Sequence, residues 1–314
     1  MLRGIPTAIS LALLVGASLL GPTVSWAKQT SGTGDGLAAG PLPGPTVTLV
    51  GAGDIAVCGS NENDSATADL VQDVLNSDTT AIAITAGDNV YPDGSLTHFN
   101  NCYEPTWGVF KARTRPGIGN HEFYGNPGAV GYFQYFGDRA GPSGRGYYKF
   151  NAGTWKVYSL TSECGTQSDC YLQQLRWLKF DLRNKPRQCV MAIWHRPLFS
   201  TGEHGNSVRM RKVFAALYNA GAELVVNGHD HGYQRFEPAD SLGAEDAVNG
   251  MREFVAATGG ASLYDFETYS PLLATRDNSS HGVLKLTLAP GSYTWEFLAV
   301  PGDAYRDTGT ADCH

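Results

Sequence analysis

The stretch "AELVVNGHDHGYQR", residues 222–235, carries the apolar run Leu224-Val225-Val226 into two histidines separated by one residue. A short apolar run bounded by glycine reads as a buried strand. Residues i and i+2 of an extended chain point the same way, so His229 and His231 can face one point. Alone, such a pair is as compatible with a polar surface as with a metal or a phosphate. The rest of the chain decides it, because the same pattern recurs four times. "TVTLVGAGDIA" (46–56) breaks at Asp54, "TAIAITAGDNVY" (80–91) at Asp88, "TRPGIGNHEF" (114–123) at Asn120-His121, and "QCVMAIWHRP" (188–197) at His195.

Helical periodicity fills the gaps. "DSATADLVQDVLNSD" (64–78) carries Leu70, Val71, Val74 and Leu75 on one face, with Asp64 or Ser65 as its cap. "SDCYLQQLRWLKFDL" (168–182) carries Leu172, Leu175, Leu178 and Leu182. "SVRMRKVFAALYNAG" (207–221) carries Val208, Val213, Phe214 and Leu217 and closes at Gly221. Residues 282–300 read as a hairpin turned at Pro290-Gly291. Alternating strands and helices followed by hairpins predict an α/β sheet protein. In open α/β sheets ligands bind beyond the carboxyl ends of the strands. The polar residues at the five run ends are therefore expected to converge.

The first residues combine Arg3, an apolar stretch and the small-x-small exit Ser25-Trp26-Ala27, which predicts an export signal over 1–27. Residues 28–46, rich in Gly, Pro, Ser and Thr, read as a flexible linker, leaving 47–314 as one catalytic domain. The expected location is secreted or periplasmic, with no membrane segment after cleavage. Six cysteines, an even set in an exported chain, predict disulfides. Connectivity is not legible from sequence; the expected pairing is Cys164–Cys170, Cys58–Cys102 and Cys189–Cys313. A formal charge of −7 with no basic stripe excludes a nucleic-acid-coating role. It also means that an anionic substrate needs a local attraction, which metal ions would supply. Nothing in the sequence indicates the oligomeric state.

Oxygen and imidazole donors without thiolate suit Zn, Fe, Mn and similar ions. There are too many for one ion. Two ions roughly 3.5–4 Å apart, sharing a carboxylate, is the arrangement that clamps the attacking and leaving oxygens in phosphoryl hydrolysis. In chain order "GDIA", "GDNVY", "GNHE", "WH" and "GHDH" resemble the motifs of calcineurin-like metallophosphoesterases. The tyrosine of "GDNVY" makes the chain similar to their purple-acid-phosphatase-type members. The resemblance implies a four-layer α/β/β/α sandwich of two mixed β-sheets. It implies that Asp54, Asp88, Tyr91 and His231 hold a first metal, and that Asp88 bridges to a second held by Asn120, His195 and His229. Tyr91 as phenolate to Fe(III) would give a purple colour. His121 would protonate or stabilise the leaving oxygen, and His204 would bind substrate. The implied cofactors are two metal ions, Fe with Zn, Mn or Fe. The implied reaction is hydrolysis of phosphate monoesters by a metal-bound hydroxide, with no phosphoenzyme. Ala56 in the first motif and Ala192 opening the fourth depart from the purple acid phosphatase pattern without removing a ligand.

Taken singly, each residue has a plainer role. Asp54, Asp88 and Asn120 could be turn residues, Tyr91 a partly buried aromatic, His195 the cap of a strand, and His204 a solvated loop histidine. Arg196, Tyr233 and Arg235 flank the ligands and could orient them, or only pack. Jointly, donors that all follow apolar runs favour metal binding. Two other functions compete with a phosphomonoesterase: a phosphodiesterase or nucleotidase on the same site, and a non-catalytic exported protein that binds metal or phosphate.

Overall fold

Along β1 (Val47–Ala52), Val47 and Leu49 face one way and Val50 and Ala52 the other, and the whole strand is buried. A strand covered on both faces must lie inside a layered structure. The computed structural model describes residues 44–59, 62–165, 167–184 and 189–314, so the expected export signal over 1–27 and nearly all of the linker lie outside the described residues.

The first sheet joins β1 to β3 (Ile82–Thr85), β5 (Thr114–Arg115), β13 (Gly282–Ala289), β14 (Ser292–Ala299) and β15 (Thr308–Asp312), in the order β15-β14-β13-β1-β3-β5. The second contains β6 (Tyr148–Ala152), β7 (Trp155–Ser159), β8 (Val190–Ile193), β9 (Leu224–Asn227), β10 (Tyr233–Phe236), β11 (Arg252–Ala256) and β12 (Leu273–Asp277), in the order β12-β10-β11-β9-β8-β7-β6. A small parallel pair, β2 (Ala56–Val57) with β4 (Val90–Tyr91), stands apart. The strands that lead to the polar motifs run parallel within each sheet: β1, β3 and β5 in one, β8 and β9 in the other.

Period-two alternation divides the apolar residues into three cores. Leu49, Ile84, Leu284 and Phe297 meet Val157, Met191, Ile193, Val226 and Phe254 between the sheets. Outside the first sheet, Val50, Ala52 and Ala83 pack on Ala68, Val71 and Leu75 of α1 (Glu62–Ser77) and on Tyr132 and Phe136 of a shorter helix over 130–136. Outside the second, Val190, Ala192 and Val225 pack on Leu175, Leu178 and Leu182 of α2 (Asp169–Arg183) and on Val213, Phe214 and Leu217 of α3 (Arg211–Tyr218). The molecule is thus the expected α/β/β/α sandwich, and residues 282–299 form the expected hairpin.

Four local expectations need correction. α1 starts at Glu62, so Asp64 is not a cap but lies buried in the first turn, where its carboxyl accepts from Thr106 Oγ1. Leu172 of α2 is exposed; the buried stripe is Tyr171, Leu175, Leu178 and Leu182, an i, i+4, i+7, i+11 series from which Leu172 is one residue out of phase. Val208 is exposed in a separate 3₁₀ turn before α3. The strand before Asn120 is only two residues long, so Asn120 is presented by a loop and not by a strand end. All three expected disulfides are present: Cys58–Cys102, Cys164–Cys170 and Cys189–Cys313.

Candidate metal centre

The parallel strands of both sheets deliver their carboxyl ends to one place. Asp54 follows β1, Asp88 follows β3, His195 follows β8, and His229 and His231 follow β9. Asp54, Asp88 and His229 adopt left-handed backbone, with φ of 61°, 48° and 75°; among the described non-glycine residues only Ala129 shares it. That conformation costs an L-residue on the order of 1 kcal/mol or more, and such costs gather where surrounding structure enforces a side-chain direction. Close approach does the rest. A Cβ at Gly119 would sit 2.2 Å from Asp88 Oδ1, and one at Gly228 would sit 2.6 Å from Asp54 Oδ2.

The donor atoms form two groups with one common corner. Tyr91 Oη lies 2.9 Å from Asp54 Oδ1, 3.1 Å from His231 Nε2 and 3.3 Å from Asp88 Oδ2. On the other side His195 Nε2 lies 3.1 Å from the same Asp88 Oδ2 and 3.1 Å from Asn120 Oδ1. Asp88, His195 and His229 offer ligand atoms within 4.8 Å of one another. The structure therefore brings together Asp54, Asp88, Tyr91, Asn120, His195, His229 and His231. All but Tyr91 are buried, and Tyr91 is partly so.

Two of the three imidazoles of the cluster are aimed by their second nitrogen. His195 Nδ1 is 2.9 Å from the Ala86 carbonyl and His231 Nδ1 is 2.7 Å from that of Ser262. Protons on those nitrogens leave each Nε2 facing the carboxylates, where it can carry a second proton or coordinate a cation. His121 Nδ1 lies 2.7 Å from the Pro92 carbonyl, and its Nε2 stands at the edge of the cluster, 3.9 Å from Asp88 Oδ2. His204 is exposed and stacks on His229 with ring centroids 4.3 Å apart.

Burial and close packing shift several of these groups. Burial raises the Asp88 carboxyl, but His195 and His121 more than reverse this and hold it below the ordinary range. Burial opposes a charged His195, but Asp88 and Asp54 outweigh it and raise the imidazole to about 10. Burial, reinforced by His195 and Arg196, pushes His229 far below its usual value. Burial and then Asp54 and Asp88 push the Tyr91 phenol well above its usual value. Without cations the cluster balances its charge by sharing protons, and its phenol stays neutral. The set fits a pair of borderline cations: buried carboxylates, outward-locked imidazoles, an amide and a phenol, with glycines where a Cβ would intrude.

Several supporting residues were given no role by the sequence, although Glu122 and Asp230 stand inside the motifs GNHE and GHDH. Glu122 is buried, and its carboxylate accepts N–H groups from Asp88 at 3.1 Å, Asn89 at 2.8 Å and Gly119 at 2.6 Å. Asp230, between the two histidines, faces away from the cluster and accepts from the backbone N–H groups of His204 at 3.0 Å and Gly205 at 3.1 Å. Tyr264 stacks on His231 with centroids 3.9 Å apart. Their partners are backbone groups or rings distant in sequence, which a linear reading does not place. Of the other flanking residues, Tyr233 and Arg235 instead bind Asp307, at 2.7 and 2.8 Å.

Over residues 47–233 the chain matches the calcineurin-like phosphoesterase family, and it belongs to that family. It is similar to purple acid phosphatase 22 of Arabidopsis thaliana, 30% identical over 155 residues covering 45% of this chain and 34% of the relative. Purple acid phosphatase 21 of the same plant is 28% identical over 232 residues, covering 65% of this chain and 51% of the relative. The chain thus spans between a third and a half of those relatives' length. Among solved structures, purple acid phosphatase PPD1 from yellow lupin (Lupinus luteus) superposes with a TM-score of 0.67 at 20% identity, over 85% of this chain and 54% of the lupin chain. At that identity the likeness is one of fold.

Proposed function

We propose that this protein is an exported dinuclear-metal phosphatase that hydrolyses phosphate monoesters, with residues 47–314 as its catalytic domain. The observation that carries the reading is Asp88 Oδ2, which stands 3.3 Å from Tyr91 Oη and 3.1 Å from His195 Nε2 at the junction of two buried donor sets. Asp54, Tyr91 and His231 would hold one ion, Asn120, His195 and His229 the other, and Asp88 both. Bound ions would supply an acidified water as nucleophile and compensate the negative charge that develops on phosphorus-bound oxygen.

The chain's own residues provide direction and a proton. The carbonyls of Ala86 and Ser262 hold the His195 and His231 rings in place. The Pro92 carbonyl fixes the proton on His121 Nδ1, so a second proton on Nε2 is positioned for transfer to the departing oxygen. His204, exposed beside His229, is placed to touch the substrate at the mouth. Three disulfides support a secreted or periplasmic location.

Elemental analysis together with turnover of p-nitrophenyl phosphate and its bis ester tests the proposal. Two equivalents of metal, chelator-sensitive turnover and a preference for the monoester are expected. A preference for the bis ester would move the site to diesters. Bound metal without turnover of either would make the protein a binder.

A further inference from the structure

Arg196 follows His195 in the chain, and its side chain reaches the second donor set. Its Nη1 lies 2.7 Å from His229 Nε2, while its Nε donates to Glu163 Oε1 and Oε2 at 3.0 and 3.1 Å. The anchor is itself braced: Ser162 Oγ donates to Glu163 Oε1 at 2.9 Å and accepts the Arg196 backbone N–H at 3.0 Å. Both side chains of the pair are largely covered, yet Arg196 reaches the same His229 on which the exposed His204 stacks.

A guanidinium has donors only. His229 Nε2 is therefore the acceptor in this contact, and the ring proton sits on Nδ1. A cation can take the ring through either nitrogen. At Nε2 it would occupy the lone pair that Arg196 uses. At Nδ1 it would require the proton on Nε2, leaving two donors face to face at 2.7 Å. On neither route does the contact survive.

We propose that cation binding at His229 releases Arg196 to serve as an anion-binding arm. Glu163 keeps its grip on Nε, so the guanidinium pivots and turns its free N–H edge to a tetrahedral oxyanion over the cluster. Loading is then ordered, with the cation first and the oxyanion second. This inference rests on the reading of His229 as a ligand.

The experiment is calorimetry on the intact protein: the metal-free form titrated with Mn(II) or Zn(II), and both forms titrated with inorganic phosphate. Arg196→Met keeps the aliphatic stem and removes the charge; Arg196→Gln serves should the first variant not fold. The variant is expected to bind the more weakly held metal equivalent about five- to tenfold more tightly, because one competing hydrogen bond is gone. Its loaded form is expected to bind phosphate at least tenfold more weakly. Metal-free wild type should bind no phosphate. Metal and phosphate affinities that fall together would reduce Arg196 to a structural role and overturn the proposal. So would unchanged phosphate affinity, or phosphate binding by the metal-free wild type equal to that of the loaded form. A wild type that takes up no metal would instead sink the metal centre itself.

Discussion

His121 shows how a single side chain acquires a role from its two nitrogens. One is tied to the Pro92 carbonyl at 2.7 Å, and the other is free at the edge of the cluster. His121→Ala should therefore lower kcat by about 10²–10⁴, the usual contribution of a positioned acid. Metal content by elemental analysis should stay unchanged; a variant of equal kcat would remove His121 from the reaction. Tyr91→Phe makes a separate prediction. In iron-loaded protein the visible tyrosinate band should vanish, and a colour that persists would free Tyr91 from the metal. Asp54, Asp88, Asn120 and His229 were legible because each follows a glycine after an apolar run, and His195 because it ends one; Tyr91 and His231 were legible as ligands only through the motifs that resemble the family's. Glu122 and Asp230 were not. They act on backbone N–H groups, which every residue possesses, and only the folded chain says whose.

At the scale of elements, Glu253 links a strand to the site. It is fully buried on β11, where its carboxylate accepts the N–H groups of Leu198 at 2.7 Å and Phe199 at 3.0 Å. It thereby holds the loop that leaves His195. Burial raises this carboxyl from 4.5 to about 8, against the lowering effect of the two N–H groups. The native state thus binds the proton more tightly than the unfolded chain does. The contribution of Glu253 to stability is fully present below about pH 4.5 and is lost as pH rises through about 8. Urea midpoints at pH 5, 7 and 9 should fall with pH in wild type, and Glu253→Gln should flatten that slope. The amide should also cost about 1–3 kcal/mol, because its NH₂ would face one of the two N–H donors. An equal slope in both proteins would remove Glu253 as the titrating group. Element types were legible from periodicity, whereas phase and boundary were not. Tyr171 takes the place of Leu172 in the buried stripe of α2, since residues three and four before Leu175 both fit the pattern and only tertiary packing selects between them.

On the scale of the whole molecule, Cys189–Cys313 ties the start of β8, which carries His195, to the carboxyl-terminal tail across 124 residues. Replacing both cysteines by alanine should cost about 2–5 kcal/mol in chemical unfolding. Turnover at 25 °C should be preserved, because no ligand moves; lost turnover would show that the bridge shapes the site. Chelation should act on stability directly. An ion present at a thousand times its Kd contributes about 4 kcal/mol, so removing it should lower Tm markedly in a thermal scan. An unchanged Tm would mean that the native fold holds no ion.

The layered architecture has a consequence for where the ions come from. Asp54, Asp88 and Asn120 hang from one sheet, and His195, His229 and His231 from the other. Neither sheet presents the full donor set until the two have docked, so, if the site is the proposed metal centre, capture would be a late event of maturation. Relative abundance in the surrounding medium at that moment would then weigh on which metal is taken up, beside intrinsic preference along the divalent series. Denatured protein renatured in manganese and in zinc should accordingly yield two stably different holoproteins from one polypeptide.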